Sequence, residues 1–223
     1  MRIRTTFALV AATSFVAWTS SLPAQTFEEL LADAPPIYRV EEDWELQVVN
    51  PDPSLDIPQI VTVFGPTDAA FDTHVVFELN HGTLPSFGQG GMQLQVWWAD
   101  YLIGYQSQQA PTELSNDNEV ISYTTSTRIW NDGSQHLSMG VKNGVSSTWG
   151  DFGGNGSLRI WLFTERTDLN PYDPNNSIKN SRVTYGSNRV QYFKRKAIRF
   201  YDANLDLYAE DNSEYFVHQL AAE

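Results

Sequence analysis

The chain has 223 residues, no cysteine and a formal net charge of −13. That charge disfavours nucleic acid and anionic membrane surfaces as partners, and the missing thiol excludes disulfides, an iron–sulfur site and a cysteine nucleophile. A chain of this length can bury a core large enough to hold by packing alone, and it suits one domain.

Arg2 and Arg4 precede a charge-free apolar run from Phe7 to Trp18, followed by the small-residue stretch Ser20-Ser21-Leu22-Pro23-Ala24. This is the layout of a secretory signal peptide cleaved after Ala24. The run is short for a bilayer, and no later segment reaches the required length. The expectation is an exported chain, secreted or periplasmic, with no membrane span. Residues 1–24 are then the signal, 25–36 a helical or flexible segment, and 37–220 a single domain. Removing the signal takes away two bases and makes the net charge −15.

Thr26-Phe27-Glu28-Glu29 has the spacing of a capping box, with Thr26 as N-cap and Glu29 three residues on. The short helix it starts would stop at Ala34-Pro35-Pro36. Helical periodicity then disappears. Short apolar runs between turn residues predict strands at Glu45–Val49, Ile60–Phe64, Val75–Leu79, Met92–Trp98 and Ile121–Trp130. Further strands are expected at His136–Val141, Leu158–Thr164, Val190–Phe193, Ala197–Tyr201 and Leu207–Ala209, with a longer loop at Gln106–Glu119. Asn131-Asp132-Gly133-Ser134 and Lys142-Asn143-Gly144 read as hairpin turns, because both tolerate positive φ. Many strands without intervening helices predict an all-β fold, an antiparallel two-sheet β-sandwich of jelly-roll or concanavalin A-like type.

Charge is unevenly spread. Sixteen acids and one base lie between Thr26 and Thr127, whereas eleven bases and five acids lie between Arg128 and Arg199. Opposite charges commonly face each other across antiparallel strands, so the two regions are expected to pair. The run Lys194-Arg195-Lys196 with Arg199 has three readings: protection of an edge strand, pairing with the acidic half, or a ligand patch.

Alternation sorts residues by face. Met92, Leu94, Val96 and Trp98 share an apolar face, leaving Gln93, Gln95 and Trp97 on a polar one. Ile121, Tyr123 and Ile129 oppose a row that contains Ser122, Thr124, Ser126, Arg128 and Trp130. Leu158, Ile160 and Leu162 oppose Arg159, Trp161 and Phe163. A flat ring beside amides, hydroxyls and guanidinium suits a sugar, whose apolar face stacks while its hydroxyls are hydrogen-bonded. The candidate ligand residues are therefore Gln93, Gln95, Trp97, Arg128, Trp130 and Trp161. The same rings would serve equally as packing under a loop.

Other motifs are weaker. Trp149-Gly150-Asp151-Phe152-Gly153-Gly154-Asn155-Gly156 could shape a ligand loop or close the core edge with its two aromatics. Asp202, Asn204 and Asp206 have the oxygen spacing of half a calcium loop but lack its glycine and its closing acid, so a hairpin turn competes with calcium there. The histidines show no zinc spacing, and no Gly-x-Ser-x-Gly elbow exists. Glu78 and His81 are the least poor acid–base candidates, without a clear carboxylate pair for glycoside hydrolysis.

Several segments resemble a family of uncharacterised exported bacterial proteins. They are Glu42-Asp43-Trp44-Glu45-Leu46, Pro58-Gln59-Ile60, Phe77-Glu78-Leu79-Asn80-His81, Gly91-Met92-Gln93-Leu94-Gln95-Val96-Trp97, Trp149-Gly150-Asp151-Phe152-Gly153-Gly154 and Val217-His218-Gln219-Leu220. The resemblance implies one exported domain and transfers no activity or site residue. The expected function is a non-catalytic binding module for carbohydrate or another envelope or matrix component. A carbohydrate-active enzyme and a structural protein of the envelope are the alternatives.

Overall fold

A computed structural model describes residues 27–32, 34–55, 58–65, 73–80, 91–110, 112–130 and 132–221. The expected signal, Thr26, Asn131 and His81 lie outside the described residues. In chain order the elements are α1 (Phe27–Ala32), β1 (Arg39–Val48), β2 (Ile60–Phe64), β3 (Thr73–Asn80), β4 (Gly91–Trp98) and β5 (Tyr101–Gln109). Then come β6 (Val120–Ile129), β7 (His136–Ser146), β8 (Gly150–Phe152), β9 (Arg159–Phe163) and α2 (Pro174–Asn180). The last are β10 (Arg182–Tyr185), β11 (Val190–Tyr201), β12 (Leu207–Asp211) and β13 (Tyr215–Gln219).

The strands form two antiparallel sheets packed face to face, as the patterning predicts. An eight-stranded sheet runs β12-β11-β1-β6-β7-β8, with β13 also on β11 and β9 also on β7. A five-stranded sheet runs β10-β2-β3-β4-β5. Their inner faces make the core. Trp44 of the large sheet meets Phe64 of the small one at 5.0 Å between ring centres, and Tyr123 meets Phe77 at 5.1 Å. Each fully buried side chain of this size contributes about 1.5–3 kcal/mol. Among the described residues, no helix is long and apolar enough to cross a membrane.

The acidic and basic regions do meet, as adjacent strands. Acidic β1 lies beside basic β11. On the outer face Arg199 holds Asp43 by two bonds of 2.7 and 2.6 Å, and Lys194 and Lys196 both reach Glu45. Inside, Arg195 bonds Glu42 at 3.0 Å, Ser177 donates to the same carboxylate at 2.7 Å, and Arg195 also donates to the Pro174 carbonyl. These last contacts pin α2 to the sheet; Asp173 caps that helix by accepting from the Asn175 amide. Burial pushes the Glu42 carboxyl up against the pull of Arg195 and Ser177.

Several boundaries differ from expectation. Lys194–Lys196 is the middle of one long inner strand, β11, and not an edge. Lys142-Asn143-Gly144 is no hairpin turn: β7 continues through it, and Asn143 takes φ 51° in a bulge opposite Tyr123. Gly144 is needed there because a Cβ would fall 2.1 Å from the Phe152 ring. Part of the expected loop at Gln106–Glu119 is strand, since β5 reaches Gln109. Trp149 and Phe152 are buried and close the core edge, with Trp149 Nε1 donating to the Thr112 carbonyl at 2.9 Å. Asp202 sits in the β11–β12 hairpin, where its Oδ1 accepts from the amides of Asn204 and Asp206. Among the described residues, no group of three or more His, Asp or Glu is placed to hold a metal ion.

Candidate functional site

The six candidate ligand residues fall on both outer faces of the sandwich. Gln93, Gln95 and Trp97 lie on the small sheet, and Arg128, Trp130 and Trp161 on the large one. They cannot form one site.

On the small sheet the polar row of β4 is wired to itself. Trp97 Nε1 donates to Gln95 Oε1 at 2.8 Å, Gln95 Nε2 to Gln93 Oε1 at 2.7 Å, and Gln93 Nε2 to Ser107 Oγ at 2.9 Å. His74, directly across from Trp97 on β3, stacks on its ring with 6.3 Å between centres. His74, Gln95 and Trp97 line, with Glu78 and Asp100, an open depression of about 400 Å³. Burial pushes the Glu78 carboxyl above its usual range, opposed by a hydrogen bond from Gln95. Much of the polar capacity of this face is thus spent within it.

The alternation predicted for β4 holds for Met92, Leu94 and Val96, all fully buried. Trp98 departs from it, being 54% exposed. It stands past the covered part of the core, where it lines an open groove of about 660 Å³ with Ile103, Leu137, Leu162 and Phe163.

The large sheet offers a different surface. Cross-strand register sets Tyr201, Arg39, Arg128, Ser138 and Trp161 in one row across β11, β1, β6, β7 and β9. The next row is Arg199, Glu41, Ser126, Gly140 and Arg159. Small residues at Ser126, Ser138 and Gly140 therefore leave a low floor between arginines on one side and Arg159 with Trp161 on the other. Gly140 is required, since a Cβ there would meet the Leu158 carbonyl at 2.9 Å.

Trp130 closes the end of this floor. The Arg128 guanidinium covers it at 3.6 Å from the ring centre, Trp161 packs beside it at 5.0 Å, and its Nε1 donates to Ser138 Oγ. A cation over an indole face is attracted by the ring quadrupole. Trp161 remains 49% exposed, with His136 edge-on at 6.0 Å. Burial lowers the affinity of Arg128 for its proton, and the neighbouring Arg39 and Arg159 lower it further.

Alternation along β9 places Arg159 beside Trp161, a signal readable from sequence. Arg39 carried no such signal, because only the pairing of β1 with β6 brings it opposite Arg128. The chain matches no protein-family model and no curated protein.

Proposed function

We propose that this chain is an exported, non-catalytic binding module for carbohydrate, and that it binds on the large sheet at Trp161, Trp130 and Arg128. The half-exposed Trp161 ring, packed against Trp130 and with His136 edge-on to it, carries the reading. A pyranose can lay its apolar face on that ring, while Arg128 and Arg159 offer hydrogen bonds beside it. The row on the small sheet supports binding less well, because its tryptophan and amides already bond one another.

A glycan-array screen of the purified chain, with and without calcium, tests the proposal. Selective binding that disappears in Trp161→Ala is the expected outcome, with stability changed by about 1 kcal/mol or less because the ring is half exposed. A blank array in both conditions, or full binding by Trp161→Ala, would overturn it.

One observation favours a second reading, a carbohydrate-active enzyme at the depression on the small sheet. There burial pushes the Glu78 carboxyl above its usual range and Asp100 lines the same depression, and glycoside cleavage uses a pair of carboxyl groups of which one is a general acid of raised pKa. Polysaccharide turnover abolished by Glu78→Gln in a folded chain would establish it.

A further inference from the structure

The arginines on the large sheet are placed against electrostatic expectation. Arg39 and Arg128 stand directly opposite each other on paired strands, an arrangement that destabilises a sheet when the charges are alike. Arg159 adds a third positive charge from β9, near enough to act on Arg128. In a chain of net charge −13 there is no shortage of acids to neutralise them. Elsewhere on the same face Arg199, Lys194 and Lys196 each have a carboxylate partner.

Arg128 and Arg159 have none. Among the described residues neither forms an ion pair. Arg128 Nε is buried and makes no hydrogen bond at all. Glu41, the nearest acid in the row below, is already engaged by Lys142, by Arg39 at 3.2 Å and by the Tyr201 hydroxyl at 3.2 Å. Asp132 acts on Arg128 electrostatically but forms no ion pair with it, so the charge where Arg39, Arg128 and Arg159 gather stays positive, at the edge of a floor made of serines and glycine.

Resting on the carbohydrate reading above, we propose that the ligand of this site is an acidic saccharide, its carboxylate or sulfate held between Arg128 and Arg159 while its ring stacks on Trp161. Guanidinium presents a planar fork that matches the oxygens of either group. Arg159 Cζ lies 5.9 Å from the Trp161 ring centre and Arg128 is anchored over Trp130, so both cations border the stacking position. The bound anion supplies the counter-charge that the protein withholds. A neutral sugar offers the guanidinium groups only uncharged hydroxyl oxygens, which are weaker acceptors than a carboxylate or sulfate.

The test is calorimetric titration of the full chain with oligogalacturonate, its methyl ester, dextran sulfate and unsulfated dextran. At least one acidic ligand should bind about tenfold tighter than its neutral counterpart, as a charge-assisted hydrogen bond predicts. Which one does so separates carboxylate from sulfate. Arg128→Gln and Arg159→Gln should each weaken that binding about tenfold. Arg159→Gln should leave thermal stability unchanged or raised because it removes a like charge, whereas Arg128→Gln also gives up its contact with the Trp130 ring and should stay folded at a cost of about 1 kcal/mol or less. Lys196→Gln, in an exposed position away from the floor, serves as the control for general charge attraction.

Equal affinity for acidic and neutral ligands overturns the acidic specificity and leaves the carbohydrate reading standing. Loss of affinity in Lys196→Gln as large as in Arg128→Gln overturns this placement of the anion. Absence of binding to all four ligands overturns the proposal, and the array then decides the broader reading separately.

Discussion

Glu42 and Arg195 show how much one interior pair governs. Both side chains are almost wholly buried, joined at 3.0 Å and tied to α2 through Ser177 and Pro174. Removing one partner strands a charge, so Arg195→Met should cost about 3–5 kcal/mol in urea denaturation. Replacing both with Met should recover most of that loss, and a double variant as unstable as the single one would show that the pair is more than a compensated charge. On the outer face Asp43 behaves differently. Burial opposes its ionisation, but two bonds from Arg199 and one from Thr124 outweigh that and hold its carboxyl below the usual range. A depressed folded value adds stability above the ordinary carboxylate pKa of about 3.9, and that stability is lost as pH falls through the lower folded value. Urea midpoints measured from neutral pH downward should therefore drop below about pH 4, and less steeply in Asp43→Asn than in the parent.

Elements were legible where alternation ran undisturbed. β4, up to Trp98, and β9 follow an inside–outside rhythm, and the buried sets at Met92, Leu94 and Val96 and at Leu158 and Ile160 were read correctly. β11 was split in two because Lys194-Arg195-Lys196 breaks the apolar pattern; the charge that points inward has its partner on β1, which local sequence does not reveal. β5 was missed for the opposite reason. Its residues are mostly exposed, so no apolar face marks it as a strand. β7 was cut short at Asn143-Gly144, whose turn chemistry serves a bulge instead. That bulge is testable: Gly144→Ala drives a methyl into the Phe152 ring and should cost about 1–3 kcal/mol in thermal or urea unfolding. Gly154→Ala, with nothing within 4 Å and no positive φ, should stay within about 0.5 kcal/mol. Equal losses at both positions would mean that the close approach to Phe152 is relieved by local movement.

At the scale of the molecule, the sequence identified which residues share a strand face but not which faces share a surface. Trp97 and Trp130 look alike in one dimension, each ending a polar row, yet the sandwich sets them on opposite sides. Strand order also decides where the molecule is vulnerable. β5 is the outer strand of the small sheet, nine residues long without a charge, and Tyr101, Leu102, Ile103 and Tyr105 are all exposed. A long, uncharged edge is a template for pairing with another chain. The opposing influence is the net charge of −13, which keeps copies apart. That repulsion shortens with salt, its range falling from about 30 Å at 0.01 M to about 3 Å at 1 M. Light scattering at fixed protein concentration should therefore rise with ionic strength. Tyr105→Lys places a charge on the edge and should suppress that rise while leaving the fold intact, because the Tyr105 side chain is 57% exposed. If Tyr105→Lys aggregates as fast as the parent, self-association proceeds elsewhere, with the apolar groove at Trp98 and Phe163 the next surface to alter.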